Sequence, residues 1–98
     1  MNEKFKLNKK LAELLFPGSS ISDIPVNGFG VRVSGATFNF FDWSKLMPTV
    51  VLHDIGYEIG DTEYRAVHKN TGHKGYVQVH HKDLKTALIE CLIEKLSN

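Results

Sequence analysis

The sequence predicts an α+β domain in which helices pack on an antiparallel sheet. Residues 28–41 and 55–81 alternate apolar and polar side chains, as strands with one covered face do. Stretches at the start, middle and end of the chain instead show helical spacing or helix-start signals. A length of 98 residues suits one domain with one core, so we expect a single domain over residues 1–98.

Composition narrows the classes of protein to which this chain can belong. The formal net charge of +1 provides no overall attraction to nucleic acid or to an anionic membrane. Cys91 is the single cysteine, which excludes an internal disulfide framework. There is no 18-residue apolar run and no signal-peptide pattern, so we expect a cytoplasmic protein with no membrane partner.

The first 16 residues are predicted to form a helix. Its apolar face has the i, i+4, i+7, i+8 spacing and consists of Leu7, Leu11, Leu14 and Leu15. Pro17-Gly18 ends this helix.

Residues 28–41 are predicted to form a hairpin with Ser34-Gly35 at its tip. This register pairs Val33 with Ala36, Val31 with Phe38 and Phe29 with Phe40. All six side chains then lie on one face, and a slip of one residue would reverse that face.

A helix should follow the hairpin directly. Asp42 is a preferred N-cap, and Phe41 and Leu46 occupy the two positions of a hydrophobic staple. Trp43 is therefore the expected first residue. Pro48 lacks an N–H, which predicts a kink in a helix that ends near Asp54.

Residues 55–81 are predicted to form a three-stranded meander with turns at Gly60-Asp61 and Thr71-Gly72. The expected partners are Ile59 with Thr62, Tyr57 with Tyr64, Ile55 and Val77 with Ala66, and Val79 with Tyr64. Seven side chains share one face in this register: Ile55, Tyr57, Ile59, Tyr64, Ala66, Val77 and Val79. The pattern leaves open whether the hairpin and meander form one five-stranded sheet or two.

The C-terminal residues 83–96 are predicted to form a helix that is apolar over more than half of its circumference. Such a wide stripe indicates either a helix buried between a sheet and another helix, or a partly exposed surface that forms a homodimer.

No catalytic constellation, cofactor motif or metal site is predicted. Four of the five histidines lie between His68 and His81, but the predicted hairpin keeps His68 and His81 at opposite ends and points His80 to the other face. Cys91 lies on the apolar stripe of the last helix, where a cysteine is usually a buried hydrophobic residue.

The strongest candidate for a partner-binding surface is the tip and outer face of the meander. Basic residues mixed with an aromatic residue can contact phosphates and bases, or form part of a protein interface. The candidates on this surface are Arg65, Lys69, His73, Lys74 and Tyr76. Trp43, at the exit of the first hairpin, is a further candidate.

Two fragments resemble a known family. Phe38-Asn-Phe-Phe-Asp-Trp-Ser-Lys-Leu-Met-Pro-Thr-Val-Val51 and His81-Lys-Asp-Leu-Lys-Thr-Ala-Leu-Ile89 are similar to the small NinX-like proteins of lambdoid phages and prophages. The resemblance covers about half of the chain. It implies a phage accessory protein that acts in the bacterial cytoplasm, and it supplies no catalytic residues.

These observations lead to two functional hypotheses. The first is a non-enzymatic, phage-encoded protein that binds and modulates a host, phage or defence protein. The second is a small nucleic-acid-binding protein that uses the basic hairpin of residues 65–85.

Overall fold

The computed structural model describes residues 3–69 and 76–97, and they form the predicted α+β fold. The elements in chain order are α1 (Glu3–Leu15), β1 (Val31–Val33), β2 (Ala36–Phe38), α2 (Trp43–Leu52), β3 (Gly56–Ile59), β4 (Tyr64–Lys69), β5 (Tyr76–His81) and α3 (Leu84–Ser97). The strands form two separate antiparallel sheets, β1-β2 and β3-β4-β5.

Helix α3 lies at the centre of the core. It packs against α1, α2, β4 and β5, and Leu88, Ile89, Cys91 and Leu92 on its stripe are fully buried. The helix is apolar over so much of its circumference because it is covered from several sides. The homodimer hypothesis required this stripe to be exposed, and these four residues are enclosed within the protein.

The first hairpin has the predicted register, with Val33 opposite Ala36 and Val31 opposite Phe38. Its two-residue turn has positive φ at Ser34 (48°) and Gly35 (88°), as a type I′ turn requires. Val31 and Val33 are buried and Phe38 packs against the core, so the predicted inner face is confirmed at these positions.

The side chain of Asn8 takes the place of the next rung of this hairpin. In a two-residue hairpin hydrogen-bonded pairs recur every second residue, so Phe29 and Phe40 would form the pair after Val31 and Phe38. Instead, Asn8 Nδ2 donates to the Phe29 carbonyl (2.8 Å) and Asn8 Oδ1 accepts from the Phe40 N–H (2.8 Å). The amide group of Asn8 therefore substitutes for a backbone peptide and joins α1 to both chains of the hairpin.

This arrangement corrects two predictions. The pair Phe29–Phe40 is separated by Asn8 and lies outside the ladder. The buried side of α1 is also rotated from the predicted leucine stripe, and it consists of Phe5, Asn8, Leu11 and Ala12. A pattern that scores only apolar residues places Asn8 on the polar side, whereas its side chain is fully buried.

Replacing Asn8 by leucine should strongly destabilise the protein. The substitution leaves the Phe40 N–H and the Phe29 carbonyl without the partners that Asn8 provides, so we expect a loss of about 2–4 kcal/mol in the free energy of unfolding. Urea denaturation measures this loss. The matched control is Lys10→Ala at an exposed position of the same helix, which should change stability by less than about 0.5 kcal/mol. Equal stability of Asn8→Leu and wild type would contradict the bridging role.

Helix α2 begins as predicted. The Asp42 side chain accepts the Ser44 N–H (3.0 Å), and this hydrogen bond holds the pKa of Asp42 below its ordinary value. Phe41 and Leu46, the two residues of the staple, are both buried. The helix contains Pro48 and ends at Leu52, two residues before the predicted end at Asp54. His53 is its C-cap.

The predicted register of the meander is wrong by two residues. Tyr57 pairs with Ala66, Ile59 with Tyr64, and Ala66 with Val79. The cause in the first turn is its length: residues 60–63 form a four-residue connection, closed by the Gly60 N–H donating to the Glu63 carbonyl (2.9 Å). The second predicted turn, at Thr71-Gly72, lies outside the described residues. A shift of two residues preserves the faces of the strands.

The inner face of the meander is only partly buried. Ala66 is fully buried and Ile55, just before β3, is nearly so, but Tyr57 and Ile59 are exposed. Helix α3 packs on β4 and β5, whereas β3 is an edge strand with four exposed residues. Tyr57 and Ile59 share the inner face of the meander but remain exposed, because the covering helix lies over the other two strands.

The N-terminus of α3 is capped by Asp83. Its carboxylate accepts the Thr86 N–H (3.1 Å) and the Thr86 hydroxyl (2.6 Å). Partial burial opposes ionisation of Asp83, but these hydrogen bonds outweigh it and hold the pKa of Asp83 below its ordinary value of 3.8.

Replacing Asp83 by alanine should therefore have a pH-dependent effect. We expect a loss of about 1 kcal/mol in the free energy of unfolding at neutral pH, where the ionised cap stabilises the helix. Because the pKa is lower in the folded state, this contribution is present above 3.8 and disappears as the pH falls through the folded-state pKa. Urea titrations over this pH range should show the two proteins converging. Asp61→Ala, in the exposed β3–β4 connection, serves as the control and should show neither effect.

Candidate functional site

The outer face of the meander is a row of paired charges. The register aligns Glu58 with Arg65 and Arg65 with His80 across β3, β4 and β5. The Arg65 guanidinium forms a salt bridge with Glu58, and His80 Nδ1 lies 3.0 Å from Glu63 Oε1. Arg65, the candidate residue in this row, thus contacts a carboxylate, which reduces the positive field available to a phosphate backbone.

The other hairpin candidates are only partly located. Lys69 and Tyr76 are opposite each other at the end of the β4–β5 ladder, and their side chains are not among the described groups. His73 and Lys74 lie outside the described residues. The charge of Arg65 is therefore balanced by Glu58. The role of His73 and Lys74 in binding stays a prediction from the sequence.

Helix α2 supplies an exposed apolar surface that includes Trp43. Residues Trp43, Met47 and Val51 are four positions apart and form one stripe, and Leu52 extends it around the helix. Val51 and Leu52 are 73% and 78% exposed, whereas Leu46 and Val50, which lie next to the Trp43 end of this stripe at i+3 and i+7, are buried. We call these four exposed residues the α2 face.

Lysines flank the α2 face. Lys85 Nζ, at the start of α3, lies 5.0 Å from the centroid of the Trp43 ring. On the other side of the helix, Lys45 Nζ lies 5.5 Å from the centroid of the Phe38 ring. These distances are those of cation–π contacts, so both ammonium groups are held beside aromatic rings at the edges of the face.

Sequence reasoning identified Trp43 but missed Met47, Val51 and Leu52. The signal was present, because the four-residue spacing of Trp43, Met47 and Val51 gives α2 an apolar surface wider than the side formed by Leu46 and Val50. Here the core covers only the side that carries Leu46 and Val50.

The described histidines and Cys91 are not arranged for metal or nucleophilic chemistry. Within residues 3–69 and 76–97, no three His, Cys, Asp or Glu side chains come together as a metal site. Burial lowers the pKa of His53, and nearby Lys95, whose ammonium donates to the His53 carbonyl, lowers it further. Burial, with a contribution from Glu94, raises the pKa of the Cys91 thiol to about 11. Cys91 is therefore protonated at neutral pH and fully enclosed by the core.

Cys91 should resist alkylation in the native protein. Iodoacetamide reacts with the thiolate, and both the raised pKa and the burial of Cys91 suppress that species. At pH 8 we expect almost no labelling by mass spectrometry without denaturant, and complete labelling in urea. Rapid labelling of the folded protein would show that this thiol is accessible and reactive.

Comparison of the chain with protein-family models, curated proteins and solved structures finds no match. In the described part of the chain, the helices are too short and insufficiently apolar to cross a membrane.

Proposed function

We propose that this protein is a non-enzymatic binding module that docks a partner protein on the α2 face. The observation that carries the proposal is the exposure of Trp43, Met47, Val51 and Leu52 on one folded helix. Contiguous exposed apolar surface of this kind is typical of protein interfaces, and tryptophan and methionine are enriched there.

The partner should present an apolar surface bordered by carboxylates. Lys85 and Lys45 flank the α2 face, each beside an aromatic ring. An acidic rim on the partner would pair with these lysines, while its apolar centre would cover Val51 and Leu52. This charge complementarity favours an acidic partner over a second copy of the chain, which would bring the same lysines to the interface.

The energy available from this face is sufficient for a specific contact. Complete burial of a Val or Leu side chain contributes about 1.5–3 kcal/mol, and Val51 and Leu52 begin largely exposed. Part of that gain offsets the entropy lost on association, so a few well-buried residues would provide most of the affinity. A single charge placed at the centre of the face should therefore abolish docking.

The resemblance to NinX-like proteins suggests the biological setting of the proposed binding. It supports a phage or prophage accessory protein in the bacterial cytoplasm, whose partner is a host or phage protein. The fragment from Phe38 to Val51 that carries the resemblance includes Trp43, Met47 and Val51 of the α2 face.

The decisive substitution is Val51→Glu. Ile24→Glu is its matched control, because Ile24 is an apolar residue that is also 73% exposed but lies in the loop before β1. Both variants should remain folded, since neither side chain belongs to the core. Quantitative affinity capture from bacterial lysate should yield a protein retained by wild type and by Ile24→Glu but lost with Val51→Glu. That protein, once purified, should reproduce this order of binding with Kd at least tenfold weaker for Val51→Glu.

Other outcomes would overturn the proposal. If sedimentation shows a wild-type dimer that Val51→Glu dissociates, the α2 face binds a second copy of the chain. If no protein distinguishes the two variants, the face is not a docking surface. If the protein binds single-stranded RNA or DNA at low salt, and changing Lys69 and Lys74 to glutamate removes that binding while Val51→Glu does not, the nucleic-acid hypothesis replaces ours.

A further inference from the structure

An aromatic pocket lies between the end of α1, strand β2 and helix α2. Its volume is about 250 Å³. The wall is formed by Leu15, Phe16, Phe38, Phe40, Lys45, Thr49 and Leu52. Phe16 and Phe38 are in contact, with ring centroids 4.9 Å apart, and the rings of Phe38 and Phe40 are stacked at 6.1 Å.

One side of this pocket carries a positive charge. Lys45 Nζ is held over the Phe38 ring, and in the described part of the chain no carboxylate lies within salt-bridge distance of it. Asp42, which interacts electrostatically with Lys45, is occupied as the N-cap of α2. The Thr49 hydroxyl donates to the Lys45 carbonyl (3.0 Å), so the hydrogen-bond donor facing a ligand in this wall is the lysine.

We propose that this pocket binds a small arylalkanoic acid, with its ring among the three phenylalanines and its carboxylate at Lys45. An apolar cavity of about 150 Å³ can hold benzene, so about 250 Å³ accommodates a phenyl ring and a short chain. Aromatic side chains favour a fourth ring in tilted or offset contact. The short alkyl chain of the ligand then places its carboxylate at Lys45, the cationic residue of the wall. This proposal does not depend on a protein partner.

The probe is 3-phenylpropionate, and 3-phenylpropan-1-ol is the matched ligand without a carboxylate. For a ligand of this size we expect a Kd on the order of 1 mM, measured from amide chemical shifts in two-dimensional NMR. The shifts should concentrate at Phe16, Phe40 and Thr49. The alcohol should bind at least about threefold more weakly, because it lacks the charge-assisted contact with Lys45.

Substitutions separate the charge from the cavity. Lys45→Gln should weaken binding of the acid to the level of the alcohol and leave the alcohol unchanged, which isolates the ion-pair contribution. Lys10→Gln, an exposed lysine that borders a different groove, should alter neither affinity. Thr49→Phe should fill the pocket and abolish binding of both ligands.

Val51→Glu distinguishes this proposal from partner docking. Val51 does not line the pocket, so binding of 3-phenylpropionate should be unchanged in the variant that loses the protein partner. The pocket proposal is overturned if no binding is detected when the concentration of 3-phenylpropionate reaches about ten times the expected Kd. It is also overturned if acid and alcohol bind equally, if Thr49→Phe retains binding, or if the shifts map to Trp43 and Val51.

Discussion

The hydrogen bonds of the Asn8 side chain connect α1 to both chains at the base of the first hairpin. Nδ2 donates to Phe29 and to the Asn39 side chain (3.1 Å), and Oδ1 accepts from Phe40. Asn39 in turn accepts the Phe41 N–H (3.0 Å). The two asparagines therefore bind the backbone on both sides of the hairpin base, where the chain leaves the strands and turns toward α2. Because a buried amide is stable only when its partners are in place, this network specifies one orientation of α1 on the hairpin.

The orientation of α1 on the hairpin in turn affects which side of α2 is buried. Phe40 and Phe41, held at the hairpin base, pass directly to the Asp42 cap, and the cap sets the first residue of the helix. The core then receives Leu46 and Val50, and α2 contacts α3 along this side. The contact of α2 with the core is small and covers only part of its apolar surface. Met47, Val51 and Leu52 therefore remain exposed. The proposed docking face is thus the unburied part of a helix whose position is set by the asparagine network and the cap.

The distribution of charge is consistent with recognition by shape and apolar contact. Arg65 forms a salt bridge with Glu58 on the outer sheet face, and Lys9 pairs with Asp23 between α1 and the loop. Exposed pairs of this kind contribute little to stability, but they reduce long-range attraction of polyanions. Lys45 and Lys85 differ because each lies beside an aromatic ring in the region of α2. A ligand or partner with a carboxylate next to an apolar group would satisfy both features of that region.

Most of the local structure of this protein could be predicted from its sequence. Periodicity and turn chemistry predicted the helices, the Ser34-Gly35 turn, the register of the first hairpin and the Asp42 cap, because each depends on residues close together in the chain. The same signals identified Trp43 as a candidate. Three features could not be predicted from these local signals: Asn8 replaces a backbone rung, the β3–β4 connection has four residues, and α3 covers β4 and β5 but leaves Tyr57 and Ile59 exposed. Burial could not be predicted in the same way because it depends on which neighbours a side chain contacts in the folded protein. Sequence periodicity shows which side of α2 or β3 is apolar, but whether that side is covered depends on helices far away in the chain.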